Sequence, residues 1–389
     1  MAGTIKPRDA KELRQAVEWA LNDNITLDVR GQGSKLLLGK PMRCDQVLDL
    51  SGISGVVDYA PEELVVTLRA GTPLSEIEAL LAQRNQMLAF EPPDLGPLLG
   101  LEAGQGTLVG AVMGNLAGSR RVSAGAARDH LLGFSGVNGR GEAFKSGGKV
   151  MKNVTGYDLS KLLAGSWGTL AVLDEVSVKV LPAPDQTRTL FLLGLADDAA
   201  VKAMCAAMGS PHDVSGAAHV AGKTALRLEG VAPSVEARLK GLRELLAMSD
   251  AKMEELGTLE SRAFWRGVRD VAPLNAARDA IVWKISCPPT EGPGIVARIK
   301  AQRPTTEAFY DWSGGLIWLA LPASADADHN IVRGALGAAG GHATLIRAAQ
   351  SVRASVPVFQ PQPAALAALV SRVKESFDPK RLFNPGRMG

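Results

Sequence analysis

Three cysteines, Cys44, Cys205 and Cys287, stand far apart in a chain of 389 residues. That spacing offers no four-thiolate pattern for an iron–sulfur cluster and no disulfide framework. Five histidines (His130, His212, His219, His329 and His342) show neither His-x-His nor His-x-x-x-His spacing, so a zinc site has no support. Charge of one sign is scarce. The formal net charge is +3, and no Lys/Arg block is present to follow a nucleic-acid backbone. Apolar runs such as "LIWLALPA" fall far short of a bilayer span. The opening "MAGTIKPRDAKELRQAV" lacks the apolar stretch and cleavage site of a signal peptide. No Walker motif occurs, and no Gly-x-Gly-x-x-Gly follows a strand, which counts against kinase, ATPase and Rossmann readings. The expectation is a cytoplasmic protein without a metal site, any membrane contact being indirect.

Hydrophobic residues make up 46% and charged residues 21%, the balance of a folded chain, and the length exceeds one ordinary core. Asp9 and Glu12 resemble a capping box ahead of an apolar stripe at Leu13, Ala16, Val17, Ala20 and Leu21. "ITLDVRG", "VLDLS", "GVVDY" and "ELVVTLRAG" read as strands; Thr72 is the expected N-cap of a helix opening at Pro73. Residues 91–148 are dense in Gly with apolar residues interleaved, the texture of backbone pressed against a ligand. After Pro182-Ala183-Pro184 come a β-α-β-β-α run and then a β-α-β-β-α-β run, which predict one antiparallel sheet covered by helices. A final helix, "ALAALVSRVKESF", precedes "DPKRLFNPGRMG". The class is α+β, with units at 1–183 and 184–350 and a returning segment at 351–389.

"VRGQGSKLLLG" carries the first chemistry. A strand runs into Gly31-x-Gly33-Ser34-Lys35, where successive N–H groups can form an anion nest and Ser34 and Lys35 add a donor and a charge. The same residues also suit a plain strand-end turn. "GQGTLVG" and "GKVMKNVTGYDLSKLLAGSWGTLAVLDEVSVKVLP" add further Gly-rich walls. Arg120 and Arg121 could clamp a carboxylate or simply be solvated. His342, after two glycines, could be a base or could pack at an interface.

Taken together, "VRGQGSKLLLG", "LVVTLRAGTPLSEIEALL", "EPPD", "GTLVGAVMGNLAG", "ARDHLLG", the "GGKVMKNVTGYD…VLP" stretch and "DPKRLFNPGRM" resemble the vanillyl-alcohol-oxidase, or PCMH, type of FAD-binding protein. "FWRGVRD", "WKISCP", "DWSGGLIWL" and "GGHATLIRA" are most similar to the FAD-binding subunit of bacterial glycolate oxidase. The resemblance implies a PCMH-type FAD-binding domain, an α+β cap domain and a C-terminal segment returning to the flavin. It implies that Arg30, Gly31, Gly33, Ser34 and Lys35 hold the pyrophosphate, and that Pro92, Asp94, Gly106, Thr107, Gly110, Gly114, Asn115 and Gly118 line the rest of the slot. Arg128 and Asp129 would brace that loop, Gly156, Tyr157 and Asp158 would close over the cofactor, Val172 would face the adenine, and Asn384 and Gly386 would sit near the flavin ring. Neither loop carries the His or Cys that bonds flavin in many relatives, which implies non-covalent FAD. The His-rich metal motif found in self-sufficient dehydrogenases of D-2-hydroxy acids is missing too. The implied role is therefore an FAD subunit working on glycolate with a catalytic flavoprotein subunit and an iron–sulfur subunit. The alternatives are a self-sufficient 2-hydroxyacid dehydrogenase and a non-catalytic structural subunit.

Overall fold

The computed structural model describes residues 3–148, 157–247 and 251–388. Gly156, expected to close over the cofactor, lies outside the described residues.

Alternating apolar residues build the first sheet. Gly3–Ile5 and Leu27–Arg30 flank Gln46–Asp49, all parallel. The helix Ala10–Asp23 carries the backbone from one outer strand, Gly3–Ile5, across to the other, Leu27–Arg30. Asp9 starts that helix by accepting the Glu12 N–H at 2.8 Å, and Asn24, in the left-handed region, ends it. Its stripe of Leu13, Ala16, Val17 and Ala20 is buried as the spacing predicts. A second, antiparallel sheet has the spatial order Val56–Ala60, Val65–Arg69, Ala171–Lys179, Leu131–Asn138, Ala143–Gly147. One continuous apolar core joins the two sheets. Thr72 departs from its expected role. Its hydroxyl donates back to the Arg69 carbonyl at 2.7 Å, and the helix Leu74–Ala82 starts from Pro73 without a side-chain cap.

The second sheet system has eight strands. Their order is Lys252–Leu256, Gln186–Leu193, Lys223–Gly230, Gly216–Val220, Glu307–Asp311, Leu316–Leu321, Ile281–Ser286, His342–Arg347. Each half is β-α-β-β-α-β, and the halves meet at His219 and Tyr310, so the sheet reads the same from either edge. The strand Lys252–Leu256 completes the first half and has no counterpart in the sequence reading.

Alternation along each strand sorts the side chains. Ile281, Trp283 and Ile285 face a core shared with the helices Asp197–Met208, Ala232–Leu245, Gly292–Gln302 and His329–Gly334. Val282, Phe309 and Trp318 point the other way and pack on Leu95, Leu98 and Leu116 of the amino-terminal part. The helix Thr258–Arg269 adds Trp265 and Val268 to this junction.

After the helix Ala364–Phe377 the backbone turns on Asp378, whose carboxylate accepts the N–H groups of Leu382 and Phe383 at 3.0 and 2.9 Å. Phe383 then bridges to Leu27, so the last residues lie beside the first parallel sheet. No helix among the described residues is long and apolar enough to cross a membrane.

Candidate functional site

The strand Leu27–Arg30 leads into a turn whose amides are unused. The N–H groups of Gln32, Gly33, Ser34 and Lys35 donate to no protein acceptor among the described residues. Gly33 sits at φ +78°, and this left-handed turn aims consecutive donors at one point. Gly31 is needed for contact: a Cβ there would lie 2.9 Å from both Oγ1 and Cγ2 of Thr107. The two Gly-rich loops are thus pressed together. Thr107 caps the short helix Leu108–Met113 by accepting the Gly110 N–H at 3.1 Å.

These residues wall a cleft of about 710 Å³. Arg30, Gly31, Gly33, Ser34 and Lys35 line it from one side, and Thr107, Gly110 and Gly114 from another. Val172, between Ala171 and Leu173, closes the far wall. A second cleft of about 560 Å³ contains Asp94, Gly104 and Gly106 and shares Ser34 and Lys35 with the first. Lys35 therefore stands between the two. Burial lowers its ammonium pKa to about 8, against the pull of Asp94 and with the push of Arg387.

Two residues of the tail fasten the cleft. Asn384, 1% exposed, accepts the Val29 N–H at 2.9 Å and donates to the carbonyls of Trp167 and Gly168 at 2.9 and 3.3 Å. Its amide is spent joining strand, turn and tail. Arg387 donates to the Lys35 carbonyl at 2.7 Å, stacks on Trp167 at 5.5 Å, and keeps a buried Nε with no partner among the described residues. Arg387 was not singled out by sequence reasoning, although it lies one residue beyond Gly386. Gly386 itself is exposed at φ +77° and lines neither cleft.

The other expected positions are distributed as follows. Asp94 accepts the Gly96 and Gly104 N–H groups at 3.0 and 2.7 Å and closes its own loop. Pro92 is buried, and Pro93 lines the second cleft in its place. Asn115, expected to line the slot, lines neither cleft and accepts the Arg128 N–H at 3.1 Å, while Asp129 accepts the Ala126 N–H at 2.9 Å. Gly118 holds Trp312 by accepting its indole N–H at 3.0 Å. Tyr157 is 90% exposed, and Asp158 caps the helix Leu159–Leu163 and pairs with Lys161 at 2.7 Å. Neither lines a cleft.

The catalytic candidates need correction. Arg120 is not free to clamp a substrate. It forks onto Glu229 at 2.7 and 3.0 Å and pairs with Glu91 at 3.1 Å. Arg227 completes the group, bonding Glu91 at 2.8 and 3.2 Å, lying 3.5 Å from Glu229 and stacking on Trp265 at 4.7 Å. Two acids and two bases thus neutralise one another at the junction. Burial alone would raise the Glu229 carboxyl, but Arg227 and Arg120 outweigh it and hold it at about 2. His342 is exposed at the start of an edge strand and lines neither cleft. Arg121 does face the junction, over Trp312 at 4.5 Å.

The site fits a dinucleotide. Four free amides with Lys35 and Arg387 suit a diphosphate, the close approach of Gly31 to Thr107 brings the two Gly-rich loops together at the cleft, and an apolar wall at Ala171–Leu173 suits a base.

Comparison with known proteins agrees. The FAD binding domain family matches residues 1–147. The glycolate oxidase subunit GlcE of Escherichia coli strain K12 is 36% identical over 379 residues, 97% of this chain and 97% of that protein. Glycolate oxidase subunit GlcD of Bacillus subtilis is 30% identical over 199 residues, 51% of this chain and 41% of its own length. Among solved structures, p-cresol methylhydroxylase with substrate bound superposes with a TM-score of 0.74 at 12% identity, covering 99% of this chain and 88% of that one. Alkyldihydroxyacetonephosphate synthase gives 0.68 at 15%, covering 98% and 75%. At those identities the likeness is one of fold.

Proposed function

Since the chain belongs to the family of the glycolate oxidase subunit GlcE, we propose that it is the FAD-binding subunit of a multi-subunit complex oxidising glycolate, a 2-hydroxy acid, to the 2-oxo acid. The observation that carries this is a match over 97% of the chain combined with four consecutive free amides at Gln32–Lys35, which supports diphosphate binding there. When bound, FAD supplies two-electron acceptor chemistry. The protein's own residues bind and orient it. The amides of Gln32–Lys35 and the Lys35 and Arg387 cations take the diphosphate charge, and Asn384 locks the strand, turn and tail that shape the cleft. No cysteine or histidine occupies the Gly31–Lys35 turn, so the cofactor is held without a covalent bond there.

A catalytic flavoprotein subunit and an iron–sulfur subunit are the partners, and the complex works on the cytoplasmic side of a membrane that this subunit touches through them. The charge network that occupies Arg120 supports an accessory role, since it removes one of the two guanidinium groups a carboxylate clamp would use. The test is the visible spectrum of the FAD-loaded protein before and after anaerobic glycolate, with affinity purification from the native host. Flavin bands that persist, together with recovery of partner subunits, are expected. Bleaching by the isolated protein would make it a dehydrogenase on its own. A protein that takes up no FAD and recovers no partners would overturn the reading.

A further inference from the structure

Two helices of equal length, fourteen residues each, differ in what covers them. Ala10–Asp23 buries Leu13, Ala16, Val17 and Ala20, whereas Ala364–Phe377 buries no residue. Yet the second helix carries a stripe as regular as the first: Leu366, Leu369, Val370, Val373 and Phe377 recur at helical spacing. At its carboxyl end Val373 and Phe377 pack against the first core, the Phe377 ring lying 6.1 Å from that of Phe144. The amino-terminal half runs past that support. Every residue from 361 to 370 is exposed, Leu366 at 44%, Leu369 at 50% and Val370 at 40%. Ala364, Ala365, Ala367 and Ala368 fill the rest of the circumference, so the first two turns hold no charge and no polar side chain.

A helix apolar on all sides has the pattern of a buried one. These two turns do not need the stripe to stay helical, because alanine and leucine are strong helix formers. Their apolar surface is left for a partner, and the small alanines let another backbone come close. The neighbouring charges indicate its kind. Arg372 and Lys374 flank Val373 in sequence, so they project to either side of the stripe. Lys380 and Arg381 are exposed just beyond the helix. Among the described residues none of Arg372, Lys374 and Arg381 has a carboxylate within 4.0 Å, and burial followed by the Arg381 charge lowers the Lys374 ammonium. Asp378 spends its carboxylate on the N–H groups of Leu382 and Phe383. Glu375, two residues past Val373 and so off the stripe, accepts from Ser371 Oγ at 3.3 Å. The result is an apolar surface with a basic rim.

We propose that the amino-terminal half of the helix Ala364–Phe377 docks another subunit of the complex, Leu366, Leu369 and Val370 entering an apolar groove whose rim carries carboxylates opposite Arg372, Lys374 and Arg381. This docking rests on the chain's being one subunit of a multi-subunit complex, which its match to the subunit GlcE over 97% of its length supports. A second copy of the chain fits poorly, since it brings the same cations to the rim and like charges across an interface repel. A bilayer surface fits poorly as well. Interfacial helices set Lys and Arg opposite their apolar stripe, where the first two turns of this helix have only alanine.

The experiment is photo-crosslinking from position 369 of the protein in its native host, with mass spectrometry of the adduct and tagged purification of variants alongside. An adduct with another subunit of the complex is expected, the crosslinked segment being apolar and flanked by Asp or Glu. The double substitution Leu366→Asp, Leu369→Asp should cut recovery of that subunit at least about tenfold at equal yield, as loss of a central apolar anchor does. Arg372→Glu with Lys374→Glu should lower it about three- to tenfold, the effect of reversed rim charge. Flavin content and circular dichroism should stay at wild-type values, because neither leucine is buried within the protein itself. Leu369→Ser serves if the double variant misfolds. Leu259→Asp, 79% exposed on the helix Thr258–Arg269, is the unchanged control. Wild-type recovery of the subunit by the Leu366→Asp, Leu369→Asp variant overturns the docking site and leaves the function reading intact. An adduct with a second copy alone, or wild-type binding to phosphatidylglycerol vesicles that the same variant loses, overturns it too. Wild type that recovers no other subunit overturns the function reading and the docking site together.

Discussion

Replacing Arg227 with methionine tests the charge network at the junction. Arg227 is 1% exposed and reaches Glu91 at 2.8 and 3.2 Å and Glu229 at 3.5 Å. At an effective dielectric of about 20, a pair near 3 Å has a gross attraction of about 5 to 6 kcal/mol, most of it offset by desolvation in the intact group. Removing one partner leaves the offset uncompensated. After Arg227→Met, Arg120 alone faces two carboxylates, and Ser215 loses the donors it accepts at 3.1 Å. Breaking a buried pair costs about 3 to 5 kcal/mol. Arg227→Met is therefore expected to lower unfolding free energy by that amount in urea melts followed by circular dichroism. Adding Glu91→Gln should restore about 2 kcal/mol, because Arg120 and Glu229 then remain as a neutral fork.

The pH dependence has a fixed sign. Glu229 ionises near 2 in the fold and near the ordinary value of about 4.3 when unfolded, so its contribution is complete above that value and is lost as pH falls towards 2. In Arg227→Met the carboxyls rise, protonation relieves the unpaired charge, and the deficit against wild type should shrink in acid. A deficit below about 1 kcal/mol, additivity of the two substitutions, or a deficit indifferent to pH would refute the argument.

Three further outcomes are expected. Lys35, lowered to about 8 before FAD binds, should make FAD affinity fall as pH rises above 8; the apo protein should instead gain stability between about 8 and 10.4, where the unfolded state binds the extra proton. Fluorescence titration and thermal melts across that range check both, and Lys35→Met should flatten both. Gly33→Trp, at φ +78° with Leu36 Cδ1 only 3.3 Å from its Cβ, should abolish FAD uptake measured by absorbance while the circular dichroism spectrum persists. Asn384→Ala should cost about 3 kcal/mol in a urea melt, since one buried and two part-buried backbone groups lose their partner and a left-handed position loses its Asn.

Short-range physics explains what could be read directly from the sequence. The helix Ala10–Asp23 was legible because its cap and apolar stripe are local, and "GAAHV" and "IVWKIS" were legible because buried strands are dense in apolar residues. The edge strand Lys252–Leu256 was missed since "KMEEL" is half-exposed and held by pairing with Gln186–Leu193, a partner about sixty residues away. The Gly31–Lys35 turn was readable for the same local reason: a strand, two glycines and a cation fall within seven residues. Arg120 shows the opposite case. Two adjacent arginines looked equivalent, yet one is consumed by Glu91 and Glu229 and the other is left over Trp312.

The sequence by itself determined the elements whose caps and apolar stripes are local, such as the helix Ala10–Asp23, and, through its motifs, the family, because each depends on residues close together along the backbone. Tertiary structure decided which charges cancel, which remain unpaired, and that Asn384 and Arg387 clamp a loop some 350 residues earlier. Pairing energies fall off over a few ångströms of space, and the contacts that fix them join segments whose separation in sequence carries no trace of their meeting.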